Sequence, residues 1–417
     1  ILLGLVGSEM CIRDRFEATQ ELLDKDFIEA LHDISDGGLI TSLIEMALCS
    51  NQGLDINLDY SDKEQVVPKL FSEEIGLVIE VKNEKLESVR NYLNENDKKK
   101  ININCFKEEI FSEDLITLFN QWSKVSHEIQ KIRDSEDAAL AEKEAYENFD
   151  KFLTPEINFV VPKPDKNLFR KRPKIALIRE QGINGQYDMA AALMEAGFEV
   201  KDVHMSEFGS SIKDLDSYRG LIVPGGFSYG DVLGAGSGMS NTILFNRKIR
   251  KIFSDLLSND KNFGLGICNG CQFVSGIKEI IPGAANWPRF IKNDSDQYEC
   301  RLVQLKIENS SSIFLKGMEG SVIPVMVSHG EGKAVFSEDE ENIVARYVDP
   351  NHAVTMHYPF NPNGSAQGAA GVCNNDGRIM IMMPHPERTY LTKQYSWAPK
   401  EWGIHSPWFK MFDNAYQ

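Results

Sequence analysis

The chain has 417 residues, 42% of them hydrophobic and 26% charged, a balance that supports two or three buried cores rather than one. Its 45 basic residues against 62 acidic ones leave a formal charge of −17, a surface that repels phosphate backbones and argues against nucleic acid as a partner. No apolar run reaches the length of a membrane span, and seven scattered cysteines predict free thiols in a reducing, cytoplasmic setting.

Ile1 to Gly7 is apolar and Arg13-Asp14-Arg15 is charged, the wrong order for a signal peptide. The run Leu5 to Arg15 (LVGSEMCIRDR) resembles a translated sequencing adapter of the transposon type, so residues 1–15 are expected to be non-native. From Phe16 to Ala30, apolar residues recur at helical spacing through Leu22, Leu23 and Phe27. A polar turn, His32-Asp33-Ile34-Ser35-Asp36-Gly37-Gly38, precedes a second helical run from Leu39 to Cys49. Gly76 to Val81 reads as a strand and Asn94 to Lys100 as a polar loop. Lys131 to Asp150 is a charged helical stretch, after which Pro155, Pro162, Pro164 and Pro173 mark a linker.

Beyond Lys171 strands and helices alternate. Strands are predicted at Ile175–Arg179, Phe198–His204, Leu221–Val223 and Phe263–Ile267, with helices over Gln186–Ala196 and Asn241–Leu257. Further strands are predicted around Leu302–Ile307, Ile323–Val327 and Arg378–Met382. This alternation predicts an α/β fold, a mostly parallel sheet flanked by helices. The organisation expected is therefore residues 16–130, a helical stretch and linker over 131–172, and an α/β domain over 173–417.

Gly266-Ile267-Cys268-Asn269-Gly270 places a cysteine between two glycines where a strand gives way to a helix. Such a turn projects a nucleophile, and the helix N-terminus favours its thiolate. Alone, the motif also suits a buried structural cysteine, or a redox pair with Cys271. Pro384-His385-Pro386-Glu387-Arg388 favours the nucleophile, because a thiol attacking a carbonyl needs a base and the base needs an orienting carboxylate. The glycine pair in Pro224-Gly225-Gly226-Phe227-Ser228-Tyr229-Gly230-Asp231 could turn backbone N–H groups, with that of Asn269, toward an oxyanion. A plain tight turn explains that loop as well.

Together these elements resemble the class I glutamine amidotransferases. Finer motifs resemble the formylglycinamidine ribonucleotide synthases of purine synthesis: Arg179-Glu180-Gln181-Gly182, Cys268-Asn269-Gly270-Cys271-Gln272, Trp287-Pro288-Arg289-Phe290 and Ser328-His329-Gly330-Glu331-Gly332. Upstream, His32 to Gly38 and Ser72-Glu73-Glu74-Ile75-Gly76 resemble the end of that family's ATP-dependent synthetase region. The resemblance implies a triad of Cys268, His385 and Glu387 that hydrolyses glutamine without a cofactor. It implies that Gly226, Phe227, Asn269, Gln272, Ser328 and His329 meet the oxyanion or position glutamine. It further implies Asp33 as a magnesium position and Ser35 as a nucleotide contact, although helix capping before Leu39 explains both. ATP, Mg2+ and formylglycinamide ribonucleotide belong to the full synthase. Its synthetase region is far longer than residues 16–130, so an unpartnered apolar surface is expected there.

Overall fold

A computed structural model describes residues 2–6, 12–53, 63–95, 100–103, 109–110, 113–148, 152–165, 171–210, 217–338 and 342–417. The chain divides into two compact units between Ile129 and Gln130.

The first unit contains β1 (Leu2–Val6), α1 (Ile12–Asp24), β2 (Ala30–Asp33), α2 (Gly38–Ser50), α3 (Lys63–Phe71), β3 (Gly76–Glu80), α4 (Leu86–Glu95) and β4 (Lys100–Ile103). The short pair β5 (Glu109–Ile110) and β6 (Glu113–Asp114) follows, and α5 (Leu115–Arg133) runs across the division. Four strands pair in the order β2-β3-β1-β4, antiparallel throughout. Successive residues of β3 face opposite sides of the sheet, so Val78 packs with Leu39 and Leu43 while Ile79 packs with Leu22, Val89 and Leu93. This gives an α+β unit with two small cores. Ile116, Trp122, Val125 and Ile129 of α5 and Phe71 of α3 are exposed.

Three local expectations change here. The first helix stops at Asp24, because Asp26 adopts a left-handed φ of 55°, and Ala30 opens a strand instead. His32 and Asp33 lie in β2 rather than in the turn. Asn94 and Glu95 end α4 and Lys100 opens β4, while residues 96–99 fall outside the described residues. Leu2–Val6, inside the adapter-like segment, pairs with both β3 and β4. Residues 7–11 of that segment lie outside the described residues.

The second unit runs through α6 (Glu136–Asn148), β7 (Lys174–Arg179), α7 (Gln186–Ala196), β8 (Glu199–His204), α8 (Glu207–Ser210), β9 (Tyr218–Val223), α9 (Ser237–Leu244) and α10 (Arg247–Ser258). It continues with β10 (Phe263–Ile267), α11 (Asn269–Gly276), β11 (Arg289–Ile291), β12 (Glu299–Ile307), β13 (Val322–His329), β14 (Lys333–Val335), β15 (Ile343–Val348), β16 (Ala369–Cys373), β17 (Ile379–Met382) and α12 (Phe409–Tyr416). Nine strands form one sheet in the order β13-β12-β15-β16-β17-β10-β9-β7-β8. From β17 to β8 the pairing is parallel, the α/β half that the sequence predicts. From β17 to β13 it continues antiparallel. Parallel strands covered on both faces need apolar side chains all along, and Leu221–Val223 and Ile379–Met382 are accordingly buried runs.

The charged stretch after Lys131 is two helices, broken at Asp134 and Ser135. The proline-bearing residues 152–165 hold neither helix nor named strand, yet Glu156 pairs with Val322 at the sheet edge. The single helix expected over Asn241–Leu257 is likewise two. Asn246 caps the second, its Oδ1 accepting from the N–H groups of Lys248 (3.1 Å) and Ile249 (3.2 Å). Such a cap satisfies donors that a helix start leaves orphaned. Asn246→Ala should destabilise this unit by about 1 kcal/mol, read as a lower denaturant midpoint with an unchanged slope.

Candidate active site

The strand β10 carries Cys268 at its end, and α11 starts at the next residue. Cys268 adopts φ 54° and ψ −112°, a conformation outside the favoured regions for a side-chain-bearing residue. The strain is held by close packing of three backbones. A Cβ on Gly270 would collide with the carbonyl oxygen of Val223 at the end of β9, and one on Gly266 would lie 2.7 Å from Gly270 O. The glycines flanking Cys268 are thus steric requirements of the turn. The Cys268 N–H donates to Met382 O of β17 (2.9 Å), which ties the nucleophile to the strand leading to the histidine.

Three residues beyond β17, His385 donates its backbone N–H to Met326 O of β13 (2.8 Å). Its Nδ1 lies 2.6 Å from Glu387 Oε1, and the two side chains are 1% and 0% exposed. Burial alone would lower the imidazole pKa. The Glu387 carboxylate, followed by the Cys268 sulfur, outweighs it and pushes the group up to about 10. The pair thus holds the His385 imidazole toward its charged form. Gly225 permits the contact, since a Cβ there would stand 2.7 Å from His385 Cε1 and 3.3 Å from Cys268 Cβ.

Cys271 does not share this environment. It is fully buried, and burial, then the neighbouring Cys268, pushes its thiol well above the ordinary range. It stays protonated and unreactive, and both cysteines are free.

A cleft with about 140 Å³ of free volume opens over Cys268. It is lined by Gly226, Phe227, Gln272, Ser328 and His329, all expected from sequence, and also by Asp231, Ala235, Tyr298, Gly330 and Glu331. The Cys268 Sγ lies 3.5 Å from Ser328 O. Gln272 donates to Glu331 O (2.6 Å), and Asn269 donates to Asp231 Oδ1 (2.9 Å) while accepting from the Ser228 N–H (3.2 Å). His329 is buried and kept neutral, its pKa lowered to about 3 by burial and then by the charge of His385. Asn363 Nδ2 lies 3.0 Å from its Nε2.

The Phe227 N–H donates to Gly182 O (2.8 Å) and holds the loop. The N–H groups of Gly226 and Asn269 carry no hydrogen bond among the described residues, which leaves them as the pair available to a substrate oxygen. Glu331 could have been read from the Ser-His-Gly-Glu-Gly run. Tyr298 carried no local signal; it reaches the cleft from the start of β12, where its hydroxyl meets Ser328 Oγ (2.7 Å).

Asp33 and Ser35 are placed in the other unit, both exposed. The Asp33 carboxylate stands 3.7 Å from His32 Nδ1, and the Asp33 carbonyl accepts from Ser42 Oγ (3.0 Å). The cap of α2 is Gly37, with no side-chain capping bond, so the capping explanation for Ser35 does not hold. Among the described residues no group of three His, Cys, Asp or Glu side chains could hold a metal ion, and Asp33 and Ser35 do not make such a site by themselves.

Residues 172–417 match the family described as CobB/CobQ-like glutamine amidotransferase domain, and residues 6–103 match the AIR synthase related protein, C-terminal domain. Among solved structures, PurLQS from Thermotoga maritima is similar over 59% of this chain and 98% of that chain, at 29% identity and a TM-score of 0.46. A glutamine amidotransferase from Thermotoga maritima is similar over 52% of this chain and 77% of that chain, at 14% identity and a TM-score of 0.33. The two family matches, in this order along the chain, agree with the motifs that resemble formylglycinamidine ribonucleotide synthase. The chain belongs to the family of CobB/CobQ-like glutamine amidotransferase domains, with an AIR synthase-related domain ahead of that domain.

Proposed function

We propose that the chain hydrolyses glutamine at Cys268 and is the ammonia-supplying portion of a phosphoribosylformylglycinamidine synthase. The observation that carries the reading is the buried His385–Glu387 pair set against a strained cysteine at the floor of a cleft. In this mechanism the Cys268 thiolate attacks the side-chain amide carbon, and the negative oxygen turns to the Gly226 and Asn269 N–H groups. His385 gives its proton to the departing ammonia, leaving a glutamyl thioester. Water, deprotonated by His385, then releases glutamate and restores the thiolate. Glu387 holds the imidazole in the tautomer that both steps need. Gln272 and the backbone at Ser328 and His329 border the substrate, while Asp231 and Glu331 supply negative charge for its α-ammonium group.

In the full synthase the ammonia would convert formylglycinamide ribonucleotide to the amidine, with ATP and Mg2+ in a synthetase region to which residues 16–130 contribute. Asp33 and Ser35 would serve there only alongside groups from elsewhere. The five cysteines of the described residues are free, which supports a reducing, cytoplasmic setting. Among those residues no helix is long and apolar enough to cross a membrane.

Glutamate release from glutamine tests the reading. Cys268→Ala should abolish it, and Glu387→Gln should lower kcat by about 10² to 10⁴ with little change in KM. A Cys268→Ala protein that retains release would contradict the assignment. The imidazole gives a second test by ¹⁵N NMR. His385 should remain protonated through neutral pH in the parent and lose that proton at lower pH in Glu387→Gln, because burial then acts with its largest opponent gone. An unchanged titration would show that Glu387 does not set the charge of His385.

A further inference from the structure

Among the motifs of the amidotransferase unit that the glutaminase mechanism leaves unused is Arg179-Glu180-Gln181-Gly182 at the end of β7. Its Glu180 is a carboxylate only 6% exposed, an expensive group to bury without purpose. It accepts a hydrogen bond from the Tyr229 hydroxyl (2.8 Å) and from the Gln181 N–H (2.8 Å), and His204 Nε2 stands 3.3 Å away.

Tyr229 belongs to the loop that carries Gly226. That loop is an uncommon conformation: Tyr229, Gly230 and Asp231 all have left-handed φ, at 54°, 64° and 55°. Two of the three bear side chains, so the turn needs external anchors to persist. Its backbone-to-backbone bonds to the rest of the chain come from the Glu180 segment, while the Ser228 N–H donates to Asn269 Oδ1. Phe227 N–H donates to Gly182 O (2.8 Å), Tyr229 N–H donates to Gln181 O (3.0 Å), and Gly185 N–H donates to Gly225 O (3.0 Å). A Cβ on Gly182 would collide with Phe227 O, so the two segments lie in direct contact. Two side chains also anchor it: Tyr229 donates to Glu180, and Asn269 holds Asp231.

The loop meets the site at both ends. On one side is the unpaired Gly226 N–H; on the other, Asp231 accepts from Asn269 Nδ2, on the residue that follows the nucleophile. Both proposed oxyanion donors thus belong to residues fixed by this loop.

We infer that Glu180, through Tyr229, is a positioning residue that sets the Gly226 and Asn269 N–H groups in register with the oxygen of the bound amide. The inference rests on the glutaminase reading. It assigns Glu180 no contact with substrate. Its effect is confined to steps in which negative charge develops on that oxygen, and it leaves the thiolate itself unaltered.

The test compares labelling of Cys268 by two reagents in the full chain. A diazoketone analogue of glutamine places its carbonyl where the amide carbonyl would lie, whereas iodoacetamide needs only the thiolate. Tyr229→Phe keeps the ring and removes the hydroxyl, and Glu180→Ala removes the acceptor. Both should slow diazoketone labelling by about tenfold or more, the direction expected when oxyanion donors are misplaced, while iodoacetamide labelling stays within about twofold of the parent. Glu180→Gln, whose amide oxygen still accepts from Tyr229, should keep most of the parent rate, and Tyr229→Phe combined with Glu180→Ala should add little to either alone. Equal diazoketone rates in parent and variants would overturn the inference and leave the glutaminase reading intact. A parallel fall with both reagents would show a structural role only, and would overturn it too. A parent alkylated by iodoacetamide but never labelled by the diazoketone would overturn the glutaminase reading, and this inference with it.

Discussion

Two buried side chains, His385 and Glu387, impose the constraint around which the amidotransferase unit is organised. A carboxylate taken out of water costs several kcal/mol unless it is paired, and Glu387, fully buried, has His385 as its ionic partner. The imidazole in turn is fully buried, and the Glu387 carboxylate, then the Cys268 sulfur, push it toward its charged form. The backbone must therefore bring the ends of β10 and β17 together with that of β13, and it does so through direct bonds from Cys268 N–H to Met382 and from His385 N–H to Met326. The mixed sheet serves this purpose. Its parallel half supplies the nucleophile strand, and its antiparallel half brings Ser328 and His329 to the far wall of the cleft.

The glycines around the site follow from the same constraint. Gly225, Gly266 and Gly270 stand where a methyl group would strike His385, Gly270 itself or Val223. Their short contacts let a cysteine with an unfavourable backbone persist between a strand and a helix. Strain of this kind is held in place by its surroundings and points to function rather than stability.

Much of this was readable from the chain. The alternation of apolar runs with helical stretches predicted the parallel half, because strands covered on both faces must be apolar throughout. Cys268, His385 and Glu387 stood out because their residue types and local turns carry chemistry wherever they occur. The failures were local and physical. Asn241 to Leu257 has helical periodicity across its whole length, but it divides at Asn246, whose backbone is extended and whose side chain caps the second helix. Phe227 lines the cleft, and its N–H donates to Gly182 O, 45 positions earlier, a contact that no local pattern could show. Tyr298 reaches the cleft through tertiary contact alone. In the smaller unit, Asp33 and Ser35 were marked by motif, and the structure brings no further acidic group into a three-ligand set with them among the described residues.

The central claim is that Cys268 forms a covalent bond to the substrate carbon, with His385 and Glu387 set to make that bond and break it. Acid quenching of the full chain during incubation with glutamine, followed by peptide mass spectrometry, tests it most directly. The account predicts a γ-glutamyl group on the peptide carrying Cys268, held as a thioester and lost on mild hydroxylamine treatment. Glutamate release with Cys268 unmodified at every quench time, or with the γ-glutamyl group on another residue, would contradict it.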